Sequence, residues 1–379
     1  MSRRGIKENV LPNRRKFLKT AGTLAVVGGA AGCTGGDGGS GSDGDDGGSG
    51  SDGDGGQTTT TEEPGADYPS GDIRNIVPFA AGGGFDAYAR LIEPHWADRL
   101  GTDVVTENVT GGGSVIGGTQ VYSADPDGHT MMIWAPSEGL PSQIGQDVGY
   151  DMREMSHIGF LTQSPATIIF REDAGIDTWD DMISSMGELN WATQGVGTMA
   201  HVGMLILAEL TGDFAPGDVN FVHYDGTGEV LGGLERGEAN AFLINTATSG
   251  AKVIQGIEGT EMFLVFSDPG TFGSYLDEQG VEVGHWGSEM DVDGMEQMGR
   301  VASMRRFYTG PPDVPDDILQ TQRDTFQEII NDDEFLTQAE EAGRPVIDPS
   351  DHTAVDEVIQ ESYELLSSEP YRSTLEEAF

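Results

Sequence analysis

The chain of 379 residues holds one cysteine, Cys33, so internal disulfides and thiolate metal sites are excluded in any compartment. Lysine is nearly absent beyond that point, with Lys252 alone following it. The apolar run Ala21–Ala31 is too short to span a bilayer as a helix. Seven histidines are scattered without a His-x-x-x-His or Glu-flanked spacing, so no metal and no other cofactor is expected. There is no Gly-x-Ser-x-Gly elbow and no Gly-Lys-Ser/Thr phosphate loop, and serine-hydrolase and P-loop chemistry lack their sequence carriers.

What is present begins with an address. A basic stretch precedes the Ala21–Ala31 run, and small residues then lead to Cys33. That order is the layout of a secretory signal. Arg14-Arg15-Lys16-Phe17-Leu18-Lys19 resembles a twin-arginine export motif, and Ala31-Gly32-Cys33 resembles a lipobox. Residues 1–33 are therefore expected to direct export, with Cys33 carrying the lipid that anchors the protein at the outer face of the cytoplasmic membrane. Two acyl chains would supply the double signal that stable anchoring needs. Residues 34–67 are a Gly/Ser/Asp tract with no large apolar side chain, expected to be a disordered acidic tether.

The formal charge of −44 falls to −50 once the seven basic residues and one acid before Cys33 are removed. Such a surface repels nucleic acid and anionic lipid, and neither is an expected partner. Acidic excess with almost no lysine fits a halophilic setting, where molar salt shortens the Debye length to about 3 Å. The default reading of each Asp and Glu is a solvated face, so a carboxylate needs a motif around it before it is given chemistry.

The body from Tyr68 onward alternates short apolar runs (Ile73–Ala81, Thr130–Ala135, Thr167–Phe170, Phe263–Phe266) with amphipathic stretches (Asp86–Leu100, Ser114–Ser123, Met199–Leu210, Val230–Gly237). This pattern predicts an α/β fold with mainly parallel sheets. Pro315–Gly343 reads as two helices and Ser350–Phe379 as one or two more. Four glycine-rich turns each precede a helix. They lie at Ala80–Asp86, at Gly111–Gly118 with Gly112 and Ser114, at Thr193–Thr198 with Gly195 and Gly197, and at Tyr224–Gly228. A glycine turn at a helix start leaves backbone N–H groups open at the positive end of the helix dipole, which suits an anion. Asp86 is placed near the first of these N-caps, and each turn has the plainer reading of close packing alone.

At these residues the sequence resembles a known family. Val77-Pro78-Phe79-Ala80-Ala81-Gly82-Gly83-Gly84-Phe85-Asp86, Glu107-Asn108, Gly111–Gly113 and Asp125-Pro126-Asp127-Gly128-His129-Thr130 resemble the extracytoplasmic solute receptors of tripartite tricarboxylate transporters, the Bug family. Gly195-Val196-Gly197-Thr198, Tyr224–Gly228 and Phe307–Pro315 fit the same pattern. The resemblance implies a periplasmic-binding-protein-like (Venus flytrap) pair of lobes closing over a small di- or tricarboxylate. Residues 68–165 with 286–379 would form one lobe and 166–285 the other. It implies that Ala81, Gly82, Gly83, Gly84, Phe85 and Asp86 form one jaw, and Thr193, Gly195, Gly197 and Thr198 the facing one. Gly112, Ser114, Tyr224 and Asn245 would complete the wall. A monomer handing its ligand to a large and a small membrane subunit follows from the same resemblance.

The chain departs from the family's pattern at Phe85, where a threonine is usual, and at Asp225, where a carboxylate would repel an anion. An anion receptor for phosphate or sulfonates is the alternative, and a cell-surface hydrolase a further one. Asp86 with His201 or His223 is the acid–base pair that a hydrolase would have to use.

Overall fold

Pro78 ends the first strand, because it lacks the N–H a ladder needs, and the chain turns there into its first helix. The computed structural model describes residues 68–379. The export motif, Cys33 and the tract 34–67 lie outside the described residues. From Ile73 the chain runs β1 (Ile73–Val77), α1 (Gly84–Leu100), β2 (Val104–Asn108), α2 (Val115–Tyr122), β3 (Thr130–Trp134), α3 (Pro136–Gly145) and β4 (Ser156–Ser164). It continues through β5 (Thr167–Arg171), α4 (Trp179–Ser185), β6 (Trp191–Thr193), α5 (Met199–Thr211), β7 (Phe221–His223) and α6 (Thr227–Arg236). β8 (Ala241–Ile244), α7 (Ala247–Gly256), β9 (Thr260–Val265), α8 (Pro269–Glu278) and β10 (Val283–Trp286) follow. The return comprises α9 (Met295–Ala302), β11 (Met304–Gly310), α10 (Asp316–Ile330), α11 (Asp333–Glu341), β12 (Ser350–Asp351), α12 (His352–Leu366) and α13 (Tyr371–Ala378).

Two six-stranded sheets result, ordered β12-β4-β11-β3-β1-β2 and β10-β9-β5-β8-β6-β7. Mainly parallel sheets were expected, and both are mixed. β1 pairs parallel with β2 and β3, β6 with β7 and β8, and β9 with β10. β11 runs antiparallel to β3 and β4, β12 to β4, and β5 to β8 and β9. The cause is the connectivity. β4 leaves the first sheet and, after Pro165 and Ala166, becomes β5 of the second, while β11 re-enters the first sheet after the excursion. Alternation gives each strand two buried faces. In the first sheet Ile73, Val77, Met131, Ile133 and Tyr308 pack toward α1 and α10, and Ile76, Met132, Trp134, Phe160 and Phe307 pack on the other side. That second core runs without a break into the second sheet through Met199, Leu243 and Met298, where α13 lies on α3 and α5. Among the described residues no helix is long and apolar enough to cross a membrane.

Candidate functional site

α1 begins where β1 ends, and its N-cap is Gly83, which offers no side-chain cap. Asp86 is therefore not the cap. It sits inside the first turn, 5% exposed, and folds back so that Oδ2 accepts the Gly82 N–H at 2.9 Å while Oδ1 accepts Arg90 Nε at 3.0 Å. Burial alone would raise its pKa, but the bonds from Gly82, Arg90 and Asn108 outweigh burial and hold it below the usual carboxylate range. Asn108 in turn donates to Phe79 O at 2.9 Å. Gly82 adopts φ +81°, a left-handed conformation open to glycine at no steric cost. The first helical bond runs from Ala87 N–H to Gly83 O, so the N–H groups of Gly84, Phe85 and Asp86 precede it and have no intrahelical acceptor. Ala81, Gly82 and Gly83 are exposed.

Beside this open helix end lies a cation that the sequence reading missed. Arg306 of β11 is 6% exposed, and a β-bulge between Arg306 and Phe307 sets its aim. Its Cζ stands 4.9 Å from the ring centroids of both Phe85 and Tyr88, and Phe85 is itself stacked on Phe79. Nη2 lies 3.0 Å from where a Cβ on Gly84 would be, so the glycine makes room for the guanidinium. Among the described residues Arg306 forms no ion pair, and its buried Nε has no hydrogen-bond partner. Burial pulls its pKa down to about 10. The nearby Arg344 adds to that fall, while Tyr88 and Glu138 oppose it. An unpartnered guanidinium in a dry setting is a strong anchor for a planar oxyanion.

From Arg306 the site reaches the second sheet through Glu138, in the first turn of α3. Asn245, just after β8, donates Nδ2–H to Glu138 Oε1 at 2.6 Å, and Asn245 O accepts the Met304 N–H at 2.9 Å. Glu138 keeps some solvent exposure as a residue, yet its carboxyl group is desolvated. Burial raises its pKa to about 7, against the Asn245 bond and the charge of Arg306. Gly84, Phe85, Arg306, Glu138 and Asn245 thus form one connected set.

The other predicted residues are placed differently. The hydroxyl of Ser114, 1% exposed, accepts from Trp134 Nε1 at 3.0 Å. It is occupied in the core, within a turn where Gly112 and Gly113 have positive φ. Thr193 Oγ1 accepts the Gly195 N–H at 3.2 Å and meets His223 Nδ1 at 2.7 Å. Thr198 Oγ1 donates to Gly195 O, and the Gly197 N–H donates to His201 Nδ1. A Cβ on Gly197 would lie 2.6 Å from the Phe379 ring. The Tyr224 hydroxyl is buried without a partner against Gly233 of α6. His201 and His223 face each other, with ring centroids 5.4 Å apart, and Asp86 pairs with Arg90, so the acid–base pair considered for a hydrolase is not assembled. Among the described residues no cluster of His, Cys, Asp and Glu could hold a metal. A cavity of about 710 Å³ lies away from these turns, near Pro165, Phe266, Ser288 and Arg305. One of about 340 Å³ lies by Lys252, Tyr275 and Pro345, and Tyr88 Oη donates to Pro345 O at its edge.

Comparison with known proteins gives the chain's similarities. Residues 88–259 match the family described as Tripartite tricarboxylate transporter family receptor (TctC). A curated protein of Agrobacterium vitis, "UPF0065 protein in the TAR-I ttuE-ttuC' intergenic region", is 26% identical over 191 residues. That alignment covers 49% of this chain and 54% of that protein, so the match spans about half the relative's length. MatC (Rpa3494) from Rhodopseudomonas palustris, solved with bound malate, superposes with a TM-score of 0.60 at 19% identity, over 81% of this chain and 100% of that one. R. palustris Rpa4515 with adipate gives 0.61 at 18% identity, over 82% and 98%. The likeness to these solved structures shows the fold, which is shared with a periplasmic binding protein, BugD.

Proposed function

We propose that this chain, as a receptor of the tripartite tricarboxylate (TctC) family, captures a small di- or tricarboxylate outside the cell and delivers it to a large and a small membrane subunit. The observation that carries the reading is the uncapped N-terminus of α1 beside the buried, unpartnered Arg306. The helix-end amides and the guanidinium lie side by side there, and both are donors of the kind that a carboxylate accepts. Malate and adipate, bound by the two R. palustris proteins, fix the class of first probes. The two sheets would act as lobes, 68–165 with 286–379 against 166–285, and ligand would select the closed arrangement. The second jaw would be Thr193, Gly195, Gly197 and Thr198, acting through the first amides of α5 because the turn's own hydroxyls are already bonded within it, with Gly112, Ser114 and Tyr224 supporting the wall. Export by the twin-arginine motif, anchoring through Cys33 in a halophilic membrane, and a monomeric state complete the proposal.

Thermal unfolding in molar KCl against a panel of carboxylates, phosphate and sulfonates tests it. A ligand that binds the folded state raises stability by about 2.7 kcal/mol at a hundredfold excess over Kd. A rise with a di- or tricarboxylate supports the receptor reading, and a rise with phosphate or sulfonates alone moves the ligand to another oxyanion class. Release of a reaction product during incubation would overturn the receptor assignment.

A further inference from the structure

The Arg306 site holds a second charge that a simple anion anchor does not need. Glu138 is a carboxylate at the same junction as Arg306, yet the two form no ion pair. One of its oxygens, Oε1, is taken by Asn245, while Oε2 has no hydrogen-bond partner among the described residues. Arg306 from β11 and Asn245 from the β8–α7 junction are the charged and polar groups that act on Glu138, and no other charged group among the described residues contributes. Arg306 is therefore a buried cation that feels the charge of a nearby carboxylate without pairing with it, and that carboxylate is bonded to Asn245 instead. An incoming carboxylate cannot leave this balance untouched. Seated on Arg306, it brings a second negative charge into the same desolvated space, and it takes up the cation that favours ionised Glu138.

We propose that an anionic ligand replaces Glu138 as the counter-charge of Arg306, and that Glu138 takes up one proton from solvent at Oε2 as the ligand binds. This rests on the reading of the site as a carboxylate receptor. The proton adds to Oε2 and no other bond forms or breaks. Once protonated, Glu138 becomes a donor beside the Asn245 amide. The far end of the ligand then meets an O–H donor instead of a repelling carboxylate. Glu138 is on this account a specificity-determining residue. It favours ligands whose second end is a hydrogen-bond acceptor, such as another carboxylate or a carbonyl, and it makes their capture stronger as pH falls. The ordinary carboxylates at the first turn would not do this, because Asp86 is already committed to Gly82 and Arg90.

Calorimetry of malate and adipate binding to the full-length protein tests the proposal. Titrations at pH 8 in two buffers of different ionisation enthalpy count the protons taken up. Close to one proton per ligand is expected, with affinity falling about tenfold per pH unit above pH 8. Glu138→Gln should take up none and bind with an affinity that does not change from pH 7 to 9. Its melting temperature reports that the variant is folded, and a protonated-carboxyl infrared band that appears on ligand addition in the wild type should be missing from it. Binding without proton uptake in the wild type, or equal uptake in Glu138→Gln, overturns the proposal and leaves the receptor reading standing. If no carboxylate binds the wild type at all, the receptor reading falls and takes this inference with it.

Discussion

Two glycine turns that look alike in sequence do different things in the structure. Gly82-Gly83-Gly84 opens α1 and Gly195-Val196-Gly197 opens α5, each after a strand of its sheet. The second turn satisfies itself: the Thr193 hydroxyl, the Thr198 hydroxyl and the His201 ring take its polar groups, and Phe379 packs on Gly197. The first turn is held from below, where Asp86 grips Gly82, while its first helical amides stay open beside a cation that nothing pairs. A glycine turn before a helix is thus a statement about backbone shape. Whether it also binds an anion depends on side chains that arrive from elsewhere in the chain.

The largest expected effect separates the two turns through Arg306. Arg306→Gln should weaken carboxylate binding by roughly 30-fold to several thousand-fold, since losing one partner of a buried charge pair costs about 2–5 kcal/mol. It should leave the melting temperature of the unliganded protein nearly unchanged, because relief of the desolvated guanidinium offsets its lost contacts with the Phe85 and Tyr88 rings and with the charge of Glu138. Calorimetry and thermal melts together check both halves; a folded variant with wild-type affinity would remove the first turn's distinction.

Swapping the same small change between the turns comes next. In Gly84→Ala the new methyl meets the flexible end of Arg306, at 3.0 Å, and pushes the guanidinium aside. Affinity should fall about tenfold, while stability holds or rises, since Ala is favoured over Gly in a helix by up to about 1 kcal/mol. In Gly197→Ala the methyl meets the Phe379 ring and the backbone must keep φ +80°. That should destabilise by about 1–2 kcal/mol. Chemical denaturation and ligand titration on both variants read the pair, and equal loss of stability in the two would erase the contrast.

Much of this architecture was legible in the residues. β1 and β3 fall within Ile73–Ala81 and Thr130–Ala135 as the apolar runs indicated, the stretch Pro315–Gly343 gives α10 and α11, and the last thirty or so residues give α12 and α13. The periodicity of these segments is strong, and Gly101, at φ 72°, closes α1 where the pattern stops. The sense of the strands was not legible, because parallel and antiparallel neighbours share the same alternation of buried faces. The site was half legible. Gly84 and Phe85 were found through their turn, and Asn245 through the family resemblance. Arg306 is far from them in sequence and reaches Gly84 because β11 re-enters the first sheet beside β3. The pair Arg305-Arg306 in a chain so poor in basic residues was the signal that could have marked it. Glu138 was hidden by composition: among 64 acidic residues, one more carboxylate reads as surface until Asn245 is seen bonded to it.

The smallest effect, and the one that tests the self-satisfied turn directly, is its response to acid. Burial, followed by the charge of His223, depresses the His201 pKa from 6.5 to about 4. A depressed histidine binds its proton more readily in the unfolded chain. Its contribution to stability is therefore complete above pH 6.5, is lost as pH falls toward about 4, and changes no further below that. Glu138 acts in the opposite sense. Its raised pKa makes stability decline as pH climbs from about 4.5 to about 7. The wild-type profile is then the sum of two opposing limbs, and single replacements separate them. His201→Gln, which keeps an acceptor for the Gly197 N–H, should flatten the acid limb by on the order of 1–3 kcal/mol, discounted for solvent screening of the ring. Glu138→Gln should steepen the same limb, since it removes the compensating term. Melting curves between pH 4 and 8 for the three proteins decide this. An unchanged acid limb in His201→Gln would mean that the second turn is held by its glycines and Phe379 alone, with the imidazole a bystander.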